Sequence, residues 1–224
     1  MKPRHELKHE LNYLDYQIIK SRLKAVLTMD SHADATGSYF IRSLYFDTPN
    51  DTALMEKING VNHREKFRIR YYNYYESKIF LEKKSKHNSL CYKESTLITK
   101  KQVVAILNGD LKQIDASDNK LLRELLMKMK NTGLAPKTIV DYDREPFISP
   151  AGNVRITFDR NIRTALSSID FFNRELATIP VPESPLLMEV KYDGFLPEHI
   201  RRLIQVGNRR ATAFSKYAVC RSYD

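Results

Sequence analysis

HELKHE, residues 5–10, reads in two incompatible ways. As a helix it fits the H-E-x-x-H pattern, with His5 and His9 on one face as zinc ligands and Glu6 beside them as general base. As a strand it puts Arg4, Glu6 and Lys8 on one face and turns both histidines to the other. No third zinc ligand follows His9 at a suitable spacing, so the strand reading is preferred. The fold depends on it, because the same alternation of charge and apolar residue recurs down the chain.

With 224 residues and 42% hydrophobic content the chain is long enough to bury a substantial core, and 7 Gly leave little room for flexible linkers. One domain spanning 1–224 is expected. The formal net charge of +10 asks for an anionic partner: nucleic acid, a phosphate-rich ligand or an acidic membrane surface. Cys91 and Cys220 provide neither a disulfide framework nor metal-ligand spacing, which suits a reducing compartment. MKPRHELKHE has no apolar signal-peptide region, and no run is long enough to span a bilayer. A cytoplasmic location is expected.

Asn12 caps a predicted helix in which Leu14, Ile18, Ile19, Leu23, Val26 and Leu27 follow helical spacing. SHADATGS is a loop and YFIRSLYFDTP a strand running into a turn. HREKFRIRYY and SKIFLEKKS form a hairpin across NYYES, and SLCYKESTLI adds a third strand. Two helices follow, TKKQVVAILNG and DNKLLRELLMKMKN, then strands in PKTIVDYDREPF, NVRITFDRNI and PLLMEVKYDG and a helix in PEHIRRLIQVG. TAFSKYAVCRSY fits strand or helix. The class is α+β, with about eight mostly antiparallel strands.

Within these strands the charges share one face. Arg68 and Arg70 oppose Phe67, Ile69 and Tyr71; Glu82 and Lys84 oppose Ile79 and Leu81; Arg155 and Asp159 oppose Val154, Ile156 and Phe158; Glu189 and Lys191 oppose Met188, Val190 and Tyr192. A half-exposed sheet explains this pattern, and so does a closed eight-stranded barrel with helices packed outside and the ionic face inside. The barrel lumen would hold Arg4, Lys8, Arg68, Arg70, Lys84, Lys93, Arg144, Arg155, Lys191 and Lys216 against Glu6, Glu82, Asp159 and Glu189. Such an excess of confined cations implies a polyanion held along its length, and a chain of phosphates fits. The carboxylates would hold a divalent metal shared with those phosphates.

Arg4-x-Glu6-x-Lys8, SLYFDTP (43–49), RIRYY (68–72), IFLEKKSK (79–86), VRITFDRNI (154–162), LLMEVKY (186–192) and FSKY (214–217) together resemble the VTC domain. That domain is the polyphosphate polymerase module of the vacuolar transporter chaperone complex and its bacterial relatives, within the CYTH-like or triphosphate tunnel metalloenzyme superfamily. The resemblance implies a closed antiparallel eight-stranded tunnel. It also implies transfer of the γ-phosphate of ATP to a growing polyphosphate, with a divalent metal, Mn²⁺ or Mg²⁺. On it, Lys8, Arg68, Arg70, Lys84, Arg144, Arg155 and Lys216 are the catalytic phosphate contacts, with Lys93 and Ser215 assisting. Arg4 and Lys191 join them as phosphate-binding cations of the lumen. Glu189 is the principal metal ligand, helped by Glu6 or Glu82. Arg4 stands where many superfamily members have Glu, which favours polymerase over hydrolase.

The rival readings are a metal-dependent tripolyphosphatase or nucleoside triphosphatase, and a binder of polyphosphate or inositol phosphates. Nucleic acid is not the expected partner, since no standard motif accompanies the charge. G-x-x-x-x-G-K-[ST] does not occur, so this is no P-loop kinase. His63 and His87 are expected to have loop or surface roles. Tyr71, Tyr72, Tyr74 and Tyr75 offer rings either to a nucleobase or to hairpin packing. A lumen open at both ends would let a polymer leave.

Overall fold

The computed structural model describes residues 4–30, 33–34, 36–87, 90–181, 186–205 and 211–223. HELKHEL is a strand, β1 (His5–Leu11), and His5 stacks on Tyr192 at 5.0 Å between ring centroids. The elements that follow are α1 (Tyr13–Val26), β2 (Thr28–Met29), β3 (Tyr39–Asp47), α2 (Thr52–Ile58), β4 (Arg64–Tyr72), β5 (Ile79–His87) and β6 (Leu90–Ile98). Then come α3 (Lys100–Asn108), α4 (Lys120–Thr132), β7 (Ala135–Ser149), β8 (Val154–Thr164), β9 (Ile179–Pro180), β10 (Leu186–Tyr192), α5 (Glu198–Leu203) and α6 (Lys216–Arg221). Part of the SHADATGS loop lies outside the described residues.

Helix ends follow the local chemistry. The Asn12 side chain accepts from Asp15 N, Thr99 and Gln102 form a capping box, and Asn119 accepts from Leu122 N. Gly109 and Gly133 stop α3 and α4 at φ of 78° and 68°. Asp51, the residue before the short helix α2, makes no capping bond, and Thr48 Oγ1 accepts from Thr52 N at 3.2 Å. The side chain of Asp47, at the end of β3, accepts from Ala53 N and Leu54 N at 2.8 and 3.1 Å.

The strands form one antiparallel sheet in the order β1-β10-β8-β7-β3-β4-β5-β6, with β2 beside β7 and β9 beside β8. The sheet curls, helped by irregularities at Tyr45/Phe46 and Asp141/Asp143. It does not close: β1 and β6 are its two edges, and they do not pair among the described residues. The expected closed barrel is therefore a half-barrel open along one seam. The reason lies in what occupies the edge of β1. Thr212 N donates to Lys8 O at 2.8 Å, taking a backbone acceptor that a closing strand would need, and the Lys8 side chain donates through Nζ to Phe214 O at 3.1 Å, which keeps residues 212–214 against that edge. Eight strands are enough to close a barrel, but number does not oblige closure.

The convex face is dry. α3 and α4 cover Leu44, Phe67, Ile69, Ile79 and Leu81 with Val103, Ile106, Leu122 and Leu125. α1 and α5 cover Phe147, Val154, Ile156, Phe158, Met188 and Val190 with Tyr16, Ile19, Leu23 and Ile200. Not every helix lies outside, as the barrel reading had it. α6 packs within the curl, where Tyr217 and Cys220 join Ile41, Tyr45, Val140, Tyr142 and Ile162. Tyr45 and Tyr142 also line the cavity that the curl encloses, and that places α6 at its wall.

Charges are buried on the convex side too, among them Arg42, Asp141 and Glu145. Arg42, 1% exposed, donates through Nε and Nη2 to Asp141 at 3.0 and 2.8 Å and through Nη1 to the carbonyls of Phe171 and Asn173. This pins the 165–176 loop over the sheet. Arg42→Ala strands the buried Asp141 carboxylate, so it should cost about 3–5 kcal/mol in a urea unfolding series. A loss below about 1 kcal/mol would show that the pair does not hold the loop.

Candidate functional site

The concave face of the curl encloses a cavity of about 580 Å³, and a second of about 310 Å³ adjoins it. Lining the first are Arg4, Glu6, Lys8, Lys66, Arg68, Arg70, Glu82, Lys84, Lys93, Arg144, Arg155, Glu189, Lys191, Ser215 and Lys216. Every catalytic, phosphate-binding and metal-ligating residue expected from the sequence is among them; Asp159, expected in the lumen as well, is fully buried and does not line it. They converge because concave positions pair in register: Lys8 with Glu189, Lys191 with Glu6 and Arg155, Arg68 with Glu82, Lys84 with Lys66 and Lys93.

Four carboxylates organise the cations. Glu82, 2% exposed, receives Arg68 Nε at 2.9 Å, Arg70 Nη2 at 2.7 Å and Lys93 Nζ at 2.7 Å. Asp159, fully buried, takes Arg144 Nε and Nη2 at 2.6 and 2.7 Å and Lys216 Nζ at 2.5 Å. Glu189 receives Lys191 Nζ at 2.9 Å, with Lys8 Nζ and Arg144 Nη2 each at 3.6 Å. Glu6 bridges Lys8 at 3.1 Å and Lys84 at 2.7 Å. At one mouth Arg155 meets Asp30 at 2.7 Å and Tyr39 Oη at 2.9 Å, and Arg4 meets Asp193 at 2.8 Å.

A family model, the VTC domain, matches residues 3–223. The chain belongs to the VTC domain family. Among curated proteins no sequence match is found. Among solved structures, a candidate adenylate cyclase from Bacillus halodurans superposes with a TM-score of 0.53 at 13% identity, over 90% of this chain and 86% of that one. A protein from Pyrococcus horikoshii gives 0.44 at 15% identity, over 90% and 85%. The first likeness shows the fold, which is CYTH-like.

Electrostatics in the VTC domain lumen follow from crowding. Burial alone would raise the Glu82 carboxyl, but Arg68, Arg70 and Lys93 hold it well below the usual carboxylate range. Glu189 is likewise held well down, burial being outweighed by Lys191, Lys8, Arg144 and Lys216. Burial opposes the charge on Lys8, but Glu189 and Glu6 raise its pKa all the same. Lys93 goes the other way: burial and the Arg70 charge push it down to about 8, despite Glu82.

The residues also decide where a divalent metal would fit. Glu6 and Glu189 both approach Lys8 Nζ, so they share the place where a cation already sits. Thr157 pairs with Glu189 across β8 and β10, and its buried hydroxyl has no hydrogen-bond partner among the described residues. These oxygens suit a hard cation completed by phosphate and water. They do not form a self-sufficient site: no group of three His, Cys, Asp or Glu able to hold a metal occurs among the described residues. Glu82 is the poorest of the expected ligands, since its three cations lie at 2.7 to 2.8 Å whereas two of the three at Glu189 stand off at 3.6 Å.

Several lining residues were not among the candidates. Lys66 is two residues before Arg68, and extending the alternation of β4 backwards would have found it. Tyr39, Tyr45, Phe80, Tyr92 and Tyr142 also line the lumen, and no charge pattern marks them. Of the four clustered tyrosines only Tyr72 faces it. Tyr71 is buried and donates to Phe171 O, Tyr74 stacks on Phe40, and Tyr75 is exposed. His63 and His87 meet each other, Nδ1 to Nδ1 at 2.9 Å, at an exposed position outside the lumen lining.

Lys93 makes the lumen sensitive to pH. Below about pH 8 it is charged in the free protein; above that, an anion that pairs with it must bring a proton. Tripolyphosphate affinity should therefore fall from pH 7 to pH 9 more steeply for wild type than for Lys93→Arg, whose guanidinium stays charged. Superimposable titration profiles would exclude a contact between Lys93 and phosphate.

Proposed function

We propose that this VTC domain is an ATP-dependent polyphosphate polymerase. One observation supports this reading above the rest. Lys and Arg outnumber Glu in the first cavity by eleven to three, and the cation-lined path continues into a second cavity. Both cavities share Glu6, Lys8, Lys66, Lys84, Cys91 and Ser215. A compact triphosphate would need one pocket, whereas a linear polyanion uses a row of them.

In this reading the nucleoside lies at the aromatic end. Tyr39, Tyr72 and Phe80 stand edge to face there, with centroids 5.4 and 6.0 Å apart, and Arg70 lies over Tyr72 at 5.0 Å. The triphosphate runs inward among Arg68, Arg70 and Arg144. Arginine forks match phosphate oxygens in pairs, and lysines add point charges. The carboxylates hold these cations in place before substrate arrives, so the site needs little reorganisation as charge redistributes.

A terminal oxygen of the acceptor chain attacks the γ-phosphorus. The bond from that phosphorus to the β–γ bridging oxygen breaks, ADP leaves with the electron pair, and the chain is one phosphate longer. A divalent metal, Mn²⁺ or Mg²⁺, held by Glu189 and Glu6 with Thr157 beside them, would neutralise charge on the transferring phosphate. The protein's own part is alignment and charge neutralisation, with Arg144 and Lys216 locked on Asp159. No helix of the described residues is long and apolar enough to cross a membrane.

Metal-dependent hydrolysis of tripolyphosphate or nucleoside triphosphates is the second reading, differing only in using water as acceptor. Arg4 favours the polymerase. It ion-pairs with Asp193 at one mouth of the lumen, adding a cation where a carboxylate would add a metal ligand.

Purified protein incubated with ATP and Mn²⁺ or Mg²⁺ should give a polyphosphate ladder on a stained gel with stoichiometric ADP. Arg70→Ala and Glu189→Ala should each lower the rate by at least about a hundredfold. Free phosphate without a ladder would move the protein to the hydrolases. Full activity in a folded Arg70→Ala variant would refute the site.

A further inference from the structure

One cation of the lumen is set apart. Arg4, Lys8, Arg68, Arg70, Lys84, Lys93, Arg144, Arg155, Lys191 and Lys216 each meet a carboxylate within 4 Å. Lys66 lines both cavities and has no ion pair among the described residues; its Nζ lies over the ring of Tyr45 at 5.6 Å. We propose that Lys66 is the residue that receives the acceptor chain at the junction of the two cavities, making it a specificity determinant for long polyphosphate over nucleotide. This rests on the polymerase reading and deepens it.

Position and neighbours carry the argument. Lys66 and Tyr72 lie on one face of β4, and six residues at about 3.3 Å each place them about 20 Å apart. A nucleotide with its base against Tyr72 therefore sets its γ-phosphate among the arginines, before Lys66. Phosphates that extend beyond it toward the second cavity reach the junction. There Lys66 pairs in register with Lys84 on β5, with Arg68 next on its own face and Lys8 and Glu6 presented by β1. Lys57 and Arg64 continue the charge into the second cavity. Glu6 is committed to Lys8 and Lys84, leaving the Lys66 ammonium for an incoming anion. Burial, followed by the charges of Lys84, Lys8 and Arg68, holds its pKa well below the usual lysine range, and a phosphate would relieve that repulsion.

The test measures two affinities on the full chain by titration calorimetry without metal: medium-chain polyphosphate and the β,γ-imido analogue of ATP. Lys66→Met keeps the aliphatic stem beside Tyr45, and its thermal unfolding is checked against wild type. Polyphosphate affinity should fall about tenfold or more and its salt slope by about one, while the nucleotide analogue loses no more than about threefold. Lys66→Arg should restore most of the polyphosphate affinity. Equal losses for both ligands, or no loss for either, would overturn the assignment of Lys66 and leave the polymerase reading intact. A wild-type protein that binds the nucleotide analogue but not polyphosphate would overturn both.

Discussion

The sharing of buried carboxylates among too many cations is the constraint that governs this molecule. Glu82, Asp159 and Glu189 each hold two or three guanidinium or ammonium groups, and none of them is more than 6% exposed. Removing any one would leave several like charges facing one another in a confined space, where an uncompensated ion costs several kcal/mol. The sheet has to curl so that strands distant in sequence present these groups to each other. The helices, in turn, have to cover the convex face, because the concave face is too ionic to serve as the main core.

That arrangement makes preorganisation and substrate demand two sides of one fact. The carboxylates fix the direction of each cation, but their number falls short, so the cavity remains strongly positive. A polyanion completes the neutralisation that the protein leaves unfinished. Differences among the cations follow from how completely each is paired. Lys8, between Glu6 and Glu189, is the more strongly held as an ammonium, whereas Lys93, half-exposed and beside Arg70, gives up its proton near pH 8.

Much of this was legible in the alternation of residues. Arg68 and Arg70 opposite Ile69 and Tyr71, or Glu189 and Lys191 opposite Val190, state which face is which, because strand periodicity is exact over a few residues. What the alternation does not contain is where the edges go. Closure of the sheet is decided by whether β6 or the 212–214 segment reaches β1, a competition between residues far apart. The helix α2 escaped notice for a similar reason: its cap is Asp47, in the strand before the turn. The wall position of α6 depends on Tyr217 meeting Asp47 and Tyr45, which local propensity does not reveal. Lys66 is the opposite case, since the periodicity that found Arg68 extends to it.

The bond between Lys8 Nζ and Phe214 O joins residues 206 positions apart, and β1 pairs along its whole length with β10. The wall of the lumen is therefore among the last parts that a growing chain can complete. During synthesis, the cations of β4 and β5 emerge long before Glu189 and the segment that borders β1. Contacts of such long sequence separation slow folding, and the unpaired edge of β1 remains exposed meanwhile. An abundant cellular polyanion present during that interval would meet an unfinished, strongly basic sheet. Glu82, on β5 itself, is already there for Arg68 and Arg70, whereas Lys8 waits for Glu189.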